Sequence, residues 1–524
     1  MEQMIMEKNV LEWLDRAAIT WPDKTAYEDT QNAVTFSEVR ERAMRIASAL
    51  GEQKIGNSPA AVILGRSVYT IPAFLGVAAS GRAYAPIDAG LPQQRIVKIL
   101  ETLKPSAIVT EPAYEPMVRT CMEEAAKAGA WDAAAAGNPD AACPVLDAGQ
   151  LVLHDINKEK LAAVRRSMTD TDPLYIIFTS GSSGNPKGVL TSHHSLMCYI
   201  EAYADMMKID ENDRLGNQSP LDYIAAIRDI YLPLLRGAYT YILPKEYFMQ
   251  PDVLFDRLNE KEITCLGWST SALTVLSSLG AFKDRELKTL KKVCFSGSVM
   301  PGKVLRLWQT HLPEARFVNQ YGPTEATASC TWYEVDHVVD ENEAIPIGRA
   351  YDNYHVFLLN DDGTAAAQGE EGEICVTGPI LALGYYNDEK RTNEAFVRNP
   401  LQTAYYERMY KTGDIGRFRE DGILEFHGRR DRQIKHMGHR VELDEIEYAA
   451  NGIEGVEECA SLYLKEKETL YLFYSGEAQM RNVVLKLREI LPGFMVPRKV
   501  KQLPELPKLP NGKMNMTALK ELMR

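Results

Sequence analysis

The sequence lacks paired cysteine motifs, an excess of positive charge and long apolar runs. Its eight cysteines form no C-x-x-C pair, so neither a zinc site nor a disulfide framework is predicted. Lysine and arginine number 59 against 72 aspartates and glutamates, and the net charge of −13 argues against bulk binding of nucleic acid or anionic lipid. No run approaches the roughly 18 apolar residues of a membrane span, and the N-terminus shows no signal peptide. We therefore expect a cytoplasmic protein with reduced thiols that contacts neither nucleic acid nor membrane.

Short apolar runs alternate with helical stretches over most of the 524 residues. Ala60–Leu64, Ala107–Thr110 and Leu174–Thr179 are typical of buried strands, since each is a short apolar run bounded by polar or turn residues. Val39–Leu50 and Ile96–Leu103 place their apolar residues at helical spacing. This alternation predicts parallel sheets covered by helices.

The residue pattern changes beyond Ala350, where it predicts strands that alternate with turns. An Asp-Asp-Gly turn between the apolar runs of YHVFLLNDDGTA and GEICVTG predicts a hairpin. A charged, glycine-punctuated segment, Gly428–Gly438, precedes about ninety residues that mix helix and strand. We place a domain boundary in this segment, with one domain at 1–430 and a second at 431–524.

A serine- and glycine-rich segment, TSGSSGNPKG, follows the strand LYIIF directly. Its glycines permit tight turns, while its hydroxyls, backbone N–H groups and lysine can surround a polyphosphate. The spacing does not fit the Walker pattern, and a Ser/Gly surface loop is the alternative. The predicted phosphate-binding residues are Thr179, Ser180, Gly181, Ser182, Ser183, Gly184 and Lys187.

Four further motifs follow this segment in order: NQYGPTE, YKTGD, GRRDRQIKHMGHR and PNGK. With them, the chain resembles the adenylate-forming superfamily of acyl-CoA synthetases, luciferases and nonribosomal peptide synthetase adenylation domains. The resemblance extends from AYAPIDAGLPQQR to NGKMN. The residues of its motifs are most similar to those of peptide-synthetase adenylation domains and stand-alone D-alanine–carrier protein ligases. It implies an α/β fold: a large N-terminal domain of two α/β subdomains plus a β-rich subdomain, followed by a small mobile α+β domain.

The resemblance implies two half-reactions at one site. A carboxylate attacks the α-phosphate of ATP to give an acyl-adenylate and pyrophosphate, and a phosphopantetheine thiol then displaces AMP. Two anions must be brought together, so Mg²⁺ and a lysine are expected to neutralise the charge between them. By resemblance, Lys513 is the catalytic lysine, Thr324 contacts the α-phosphate and Glu325 is the Mg²⁺ ligand.

The resemblance also implies nucleotide contacts and a hinge. Tyr321 is expected beside the adenine, Asp414 at the ribose hydroxyls and Arg429 at the ribose or phosphate. Asp431 occupies the hinge position, about which the C-terminal domain rotates between half-reactions to bring Gly438 near the thiol tunnel. From the residues alone, Tyr321 also fits a core position and Asp414 a turn.

The expected acid pocket departs from the family pattern at one position. Aligned by resemblance, the aspartate that binds a substrate ammonium falls on Ile224, which cannot balance a buried charge. Asp222 lies two residues earlier and serves instead if the segment shifts. Arg228 follows Ile224 by four residues and either meets an acidic substrate group, pairs with Asp222 or Asp229, or is exposed. The other expected wall residues are Trp268, Cys294, Ser296, Gln320, Ala328 and Ser329.

Three functions compete on this basis. The first is a free-standing adenylation enzyme that loads a small carboxylic or amino acid onto a separate carrier protein; since the sequence ends at Arg524, soon after the last motif, no fused carrier is expected. The second is an acyl-CoA ligase that uses coenzyme A as acceptor. The third is a non-catalytic nucleotide-binding homologue, which the joint presence of Lys187, Glu325, Asp414 and Lys513 argues against.

Overall fold

Helices and strands alternate as the sequence predicts over most of the chain. A computed structural model describes residues 7–53, 56, 58–127, 143–181, 184–508 and 514–523. The strands are β1 Thr25–Glu28, β2 Ala33–Thr35, β3 Ala60–Leu64, β4 Tyr84–Asp88, β5 Ala107–Thr110, β6 Val145–Asp147, β7 Pro173–Thr179, β8 Lys187–Ser192, β9 Arg214–Asn217, β10 Tyr239–Ile242, β11 Cys265–Ser269, β12 Lys292–Ser296, β13 Arg316–Tyr321, β14 Thr331–Val335, β15 Arg349–Ala350, β16 His355–Leu359, β17 Glu371–Thr377, β18 Gly384–Tyr385, β19 Phe396–Arg398, β20 Arg408–Phe418, β21 Leu424–Arg429, β22 Gln433–His436, β23 His439–Glu442, β24 Glu458–Leu464, β25 Thr469–Ser475 and β26 Lys499–Gln502.

The helices cover the faces of these sheets. They are α1 Val10–Thr20, α2 Phe36–Glu52, α3 Thr70–Ala79, α4 Gln93–Leu103, α5 Glu115–Lys127, α6 Ala148–Leu151, α7 Lys158–Ser167, α8 His193–Met207, α9 Ile227–Arg236, α10 Pro251–Glu260, α11 Thr270–Ser278, α12 Gly302–His311, α13 Glu389–Ala395, α14 Leu443–Asn451, α15 Met480–Ile490 and α16 Met516–Glu521. In the described part of the chain, no helix combines the length and apolarity that a membrane crossing requires.

Two large sheets with parallel centres form most of the N-terminal part. One has the strand order β18-β8-β7-β4-β3-β5-β6, and the other has the order β15-β14-β13-β12-β11-β9-β10-β1-β2. The strand β3 is buried along its whole length because helices cover both faces of its sheet. At α2, the Thr35 side chain accepts from the Glu38 N–H while the Glu38 carboxylate accepts from the Thr35 N–H, and this capping box fixes the start of the helix.

An antiparallel sheet forms the β-rich part. Its order is β16-β17-β20-β19, with β21 paired to β20, and β16 and β17 form the hairpin predicted around the Asp-Asp-Gly turn. The strand β20 is central to the site because it carries Asp414, and its partner β21 ends at Arg429.

The residues after Asp431 build a separate small layer. The hairpin β22–β23 comes first, and the sheet β24-β25-β26 then packs against α14, α15 and α16. Its apolar core runs from Val441 to Met495, with a second cluster that reaches Met523. Two α/β sheets, a β-rich sheet and a small α+β part confirm the predicted fold class. All eight cysteines are free thiols.

Candidate active site

A cleft of about 590 Å³ lies where the β-rich part, the second large sheet and the C-terminal layer meet. Its walls come from three sources: the ends of β12 and β13, the pair β20–β21, and the chain after Asp431. Among the lining residues are Gly297, Asn319, Gln320, Tyr321, Asp414, Phe426, Arg429, Asp431, Lys435 and Tyr463. Several motifs that are distant in sequence therefore converge on one cavity.

Asp414 lies at the centre of a hydrogen-bonded network in this cleft. The Tyr321 hydroxyl donates to one oxygen of its carboxylate at 2.5 Å, and Arg429 Nη1 donates to the other at 2.5 Å. Arg429 also donates from Nε and Nη2 to the two carboxylate oxygens of Asp431, at 2.7 Å each. Burial alone would raise the pKa of Asp431, but Arg429 outweighs it and lowers that pKa. The structure thus brings together four residues predicted to contact the nucleotide or form the hinge.

The predicted phosphate loop begins at the end of β7. Thr179 and Ser180 are both buried, and the Thr179 hydroxyl finds no hydrogen-bond partner within the described ranges. Ser182 and Ser183 lie outside the described residues. Gly184 has φ +76°, a left-handed conformation in which a side chain is strained, so glycine is the residue suited to this turn.

Glu325 and Lys187 lie together beside this loop. Lys187 Nζ is 3.2 Å from a carboxylate oxygen of Glu325, whose side chain is fully buried, and the Tyr385 hydroxyl donates to that carboxylate at 2.7 Å. Burial lowers the pKa of Lys187 to about 8. Burial opposes ionisation of Glu325, but Arg440 and Lys187 outweigh it and hold its pKa well below the usual range. Thr324 is also buried, one residue before Glu325.

Residues of the C-terminal layer touch both the phosphate loop and Glu325. Arg440 Nη1 lies 3.0 and 2.9 Å from the two oxygens of Glu325, and the Ser180 hydroxyl donates to the Arg440 carbonyl at 2.8 Å. The Gly181 N–H donates to Glu445 at 3.1 Å, and the other oxygen of Glu445 forms a buried ion pair with Arg95. A carboxylate of α14 therefore takes up a backbone donor that was predicted to face a phosphate.

The tip of the hairpin β22–β23 contacts Tyr223 and Ser269, which are the sequence neighbours of the predicted pocket residues Ile224 and Trp268. Gly438 has φ +81°, its carbonyl accepts from the Tyr223 hydroxyl at 3.0 Å, and a Cβ there would lie 3.0 Å from Ser269. Both the conformation and the close approach favour glycine at this position. Lys513 lies outside the described residues.

Three residues of this site were missed by sequence reasoning, although two of them lie in a quoted motif and the third follows it closely. They are Lys435, Arg440 and Glu445. Lys435 lines the cleft, and burial lowers its pKa to about 8 although the Asp414 charge opposes this. In the sequence these three read as ordinary charged residues of an exposed hairpin and helix. Only their contacts distinguish them from solvent-facing side chains.

Arg228 lies at the centre of the predicted acid pocket. Its Nη1 donates to Gln320 Oε1 at 2.8 Å and its Nη2 to the Gly267 carbonyl at 3.2 Å. Cys294 Sγ lies 3.9 Å from Nη1, and Ile224 is buried one turn earlier in the chain. Arg228, Cys294 and Gln320 lie together, and that these residues and Ile224 line an acid pocket stays a prediction.

The remaining wall predictions have different outcomes. The Ser329 hydroxyl lies 3.2 Å from that of Tyr199, while Ala328 packs against the same core and Ser296 ends β12, partly exposed. Trp268 must be corrected: side chains alternate across β11, so Gly267 faces Arg228 and Trp268 packs in the core on the opposite face. Asp222 must also be corrected, because it accepts from the Asp88 N–H at 3.2 Å and lines a separate cavity of about 20 Å³.

A family model, similar sequences and a similar solved structure agree on the kind of protein that this chain resembles. The sequence model of the family described as AMP-binding enzyme matches residues 14–386. D-alanine–D-alanyl carrier protein ligase of Bacillus cytotoxicus is 29% identical over 526 residues, which cover 97% of this chain and 98% of that protein. Bacitracin synthase 1 of Bacillus licheniformis is 30% identical over 520 residues, 98% of this chain but 9% of that much longer protein. The Vibrio cholerae adenylation domain AlmE, solved with glycyl-adenosine-5′-phosphate, has TM-score 0.81, 20% identity and coverage of 100% and 99%.

Proposed function

Because this chain belongs to the AMP-binding enzyme family, we propose that it is an AMP-forming ligase that activates a small carboxylic or amino acid with ATP and transfers the acyl group to the phosphopantetheine thiol of a separate carrier protein. The observation that carries the proposal is that Asp414, Tyr321 and Arg429 line one cleft, while the start of the phosphate loop, Lys187 and Glu325 meet around Arg440 beside it. Lys435, which lines the cleft, feels the charges of both Asp414 and Glu325. The similar D-alanine–D-alanyl carrier protein ligase, of which the chain covers 98%, supports the carrier protein as acceptor.

In this proposal the cleft holds ATP in one orientation. The adenine lies beside Tyr321, and Asp414 accepts hydrogen bonds from the ribose, since a carboxylate has more acceptor sites than Tyr321 and Arg429 use. The phosphates lie against the loop that begins at Thr179, whose hydroxyl is unpartnered in the described structure. Lys187 adds a positive charge at the same place, and Thr324 is adjacent.

Glu325 is the residue that would hold Mg²⁺. Its carboxylate is buried beside the phosphate loop, which suits a hard cation that binds phosphates. In the arrangement described here, Arg440 contacts both oxygens of that carboxylate, so the residues fit the ion once Arg440 withdraws. When bound, Mg²⁺ would supply neutralisation of the charge that develops between the attacking carboxylate and the α-phosphate.

The withdrawal of Arg440 is part of a proposed domain rotation. We treat 1–430 as the core and 431–524 as the moving domain, with the hinge at Asp431. In the present arrangement Arg440 pairs with Glu325, the proposed metal ligand, and Glu445 accepts from the Gly181 N–H, a proposed phosphate donor. Both groups are thus unavailable to Mg²⁺ and ATP, so this arrangement suits the thiol-transfer step. Adenylation then requires a second arrangement, in which Lys513 reaches the substrate carboxylate and the α-phosphate.

Two assays on the purified chain test the proposal. Substrate-dependent exchange of pyrophosphate into ATP reports adenylation, and a panel of amino, hydroxy, keto, aryl and dicarboxylic acids should contain at least one acid that drives it. Thioester formation is then compared with coenzyme A and with a phosphopantetheinylated carrier protein. Exchange with no acid would overturn the ligase, whereas faster transfer to coenzyme A would leave adenylation intact and replace the carrier by coenzyme A.

A further inference from the structure

The acid pocket contains a buried positive charge with neutral partners. Arg228 is 2% exposed, and its guanidinium donates to the carbonyl of Ala225 at 3.3 Å, besides Gln320 and Gly267. The ring of Tyr203 lies 5.5 Å from its Cζ atom. None of these partners carries a negative charge. An arginine cannot lose its proton in a protein, so the charge remains wherever the side chain is buried.

The acidic residues nearest in sequence hydrogen-bond to other groups, and the charge of Asp229 acts on Arg228 without forming an ion pair with it. Asp229 accepts from Asn217 Nδ2 at 2.7 Å, and Asp222 accepts from the Asp88 N–H. Within the described ranges, Arg228 forms no ion pair with any carboxylate. Burial of a charge without an opposite partner is unfavourable by several kcal/mol of desolvation free energy. Neutral hydrogen bonds and an aromatic ring offset only a part of this free energy. The cost suggests that the counter-charge is supplied from outside the chain.

Two small residues border the guanidinium of Arg228 on the side of β11 and β12. Gly267 has no side chain, and a Cβ built there would lie 3.5 Å from Arg228 Cζ. Cys294 lies on the neighbouring strand, opposite Gly267. Because Arg228 is 2% exposed, a ligand from the cleft reaches it by displacing one of its neutral contacts, of which Gln320 also lines the cleft.

The strand β13 connects Arg228 to the nucleotide side of the site. Gln320 contacts Arg228, and the next residue, Tyr321, whose side chain points to the other face of the strand, contacts Asp414. Gln320 also lines the cleft itself. An acid whose activated carboxylate lies beside the nucleotide can therefore direct its far end toward Gln320 and Arg228.

We propose that Arg228 binds a second anionic group of the acid, so that the preferred substrates are short dicarboxylic acids. This inference rests on the proposed function and specifies its substrate class. A carboxylate fits because two of its oxygens can accept two parallel N–H bonds from a guanidinium. If such a carboxylate takes the place of the Gly267 carbonyl or the Gln320 side chain as the acceptor from Arg228, it supplies the missing negative charge. An amino acid with a neutral side chain supplies none.

The test compares matched acids in the pyrophosphate exchange assay. Succinate, malonate and glutarate are set against succinamic acid, butyrate, alanine and β-alanine. We expect kcat/KM for the best dicarboxylate to exceed that of its half-amide by about a hundredfold, the ratio that roughly 2.7 kcal/mol produces. A neutral acid or a plain amino acid that reacts as fast overturns the inference and leaves the ligase standing, whereas no exchange with any acid overturns the ligase itself.

Variants separate recognition from folding. Arg228→Met should lower kcat/KM for dicarboxylates through KM by a much larger factor than kcat/KM for monocarboxylates, and Arg228→Lys should restore a part of the loss. Gln320→Glu offers Arg228 an internal carboxylate at nearly unchanged volume, so it should remove the preference for dicarboxylates without requiring loss of the arginine. Arg236→Met, on the same helix at the surface, is the control. If Arg228→Met and Gln320→Glu lower kcat/KM equally for all acids while the melting temperature is unchanged, the assignment is contradicted.

Discussion

Arg440 and Glu325 form a two-oxygen ion pair between the C-terminal layer and the floor of the site. The Nη1 atom of Arg440 lies 3.0 and 2.9 Å from the two oxygens, and the Glu325 side chain is fully buried. A pair of this kind is sensitive to the loss of either member, because the remaining charge stays buried without its partner. If the C-terminal layer moves away, Glu325, the predicted metal ligand, loses the positive charge of Arg440 beside it. The position of this layer therefore controls the electrostatic environment of the Glu325 carboxylate.

Replacement of Arg440 should affect the two half-reactions unequally. In Arg440→Gln, the hairpin β22–β23 loses its charged contact with the core, so transfer from supplied acyl-adenylate to the thiol should slow about tenfold, as for a loss of roughly 1.4 kcal/mol. Pyrophosphate exchange should change by less than about threefold. Separate single-turnover and exchange assays measure the two rates. The control is Arg419→Gln, whose partner Asp421 lies on an exposed turn; equal losses in both assays would argue for a general structural effect of Arg440.

Replacement of Glu445 should strengthen ATP binding. In Glu445→Gln, the carboxylate no longer competes with phosphate for the Gly181 N–H, and Arg95 loses its partner. We expect KM for ATP to fall about threefold and thiol transfer to slow by a similar factor, each about 0.65 kcal/mol. Opposite effects on the two steps distinguish this contact from simple destabilisation. The matched control is Asp444→Asn on the same helix, which pairs with Arg432; an unchanged or raised KM for ATP in Glu445→Gln would refute the competition.

The pH dependence of ATP binding should reflect Lys187. The pKa of Lys187 is lowered to about 8: burial is the largest cause, the charge of Arg440 adds to it, and Glu325 and Glu442 oppose it. Lys187 is charged below this pH and becomes neutral above it, so the attraction for phosphate falls as the pH rises. KM for ATP should increase roughly tenfold between about pH 7.5 and 9.5.

Two substitutions identify the titrating group. Lys187→Arg should remove the alkaline rise in KM, since a guanidinium keeps its charge over this range. Lys435 has a pKa lowered to about 8 as well, so Lys435→Arg is the companion variant. If the rise persists in Lys187→Arg and disappears in Lys435→Arg, the titration belongs to Lys435 and the prediction for Lys187 is wrong.

Lys513 should matter for one half-reaction. In Lys513→Ala the ammonium group that would neutralise the acid and the α-phosphate is absent, so pyrophosphate exchange should fall at least about a hundredfold. Transfer from supplied acyl-adenylate should change by less than about threefold, because thiol attack on the adenylate does not need that charge. Lys508→Ala, an exposed residue of the same stretch paired with Glu458, is the control. Poor transfer from supplied adenylate would contradict the rotation about Asp431.

Residue spacing and patterning predicted much of the fold. The strand Ala60–Leu64 and the hairpin around the Asp-Asp-Gly turn have the predicted bounds and pairing, because continuous apolar runs and turn residues are local signals. Tyr321 and Asp414, each predicted to contact the nucleotide, hydrogen-bond to each other. At β11 the register was off by one residue, so Gly267 rather than Trp268 faces Arg228. A shift of one residue moves a side chain to the other face of a strand, and a single sequence does not fix it.

By itself, the sequence determined the alternation of buried strands and amphipathic helices, the glycine turns and the types of residue available for phosphate and acid chemistry, since these depend on neighbours along the chain. Only the tertiary structure decided which charges meet. It paired Arg440 with Glu325 and Glu445 with Arg95, and it left Arg228 among neutral groups. The physical reason is that an ion pair depends on distance in space and on burial, and residues that are 115 or 350 positions apart carry no local signal of either.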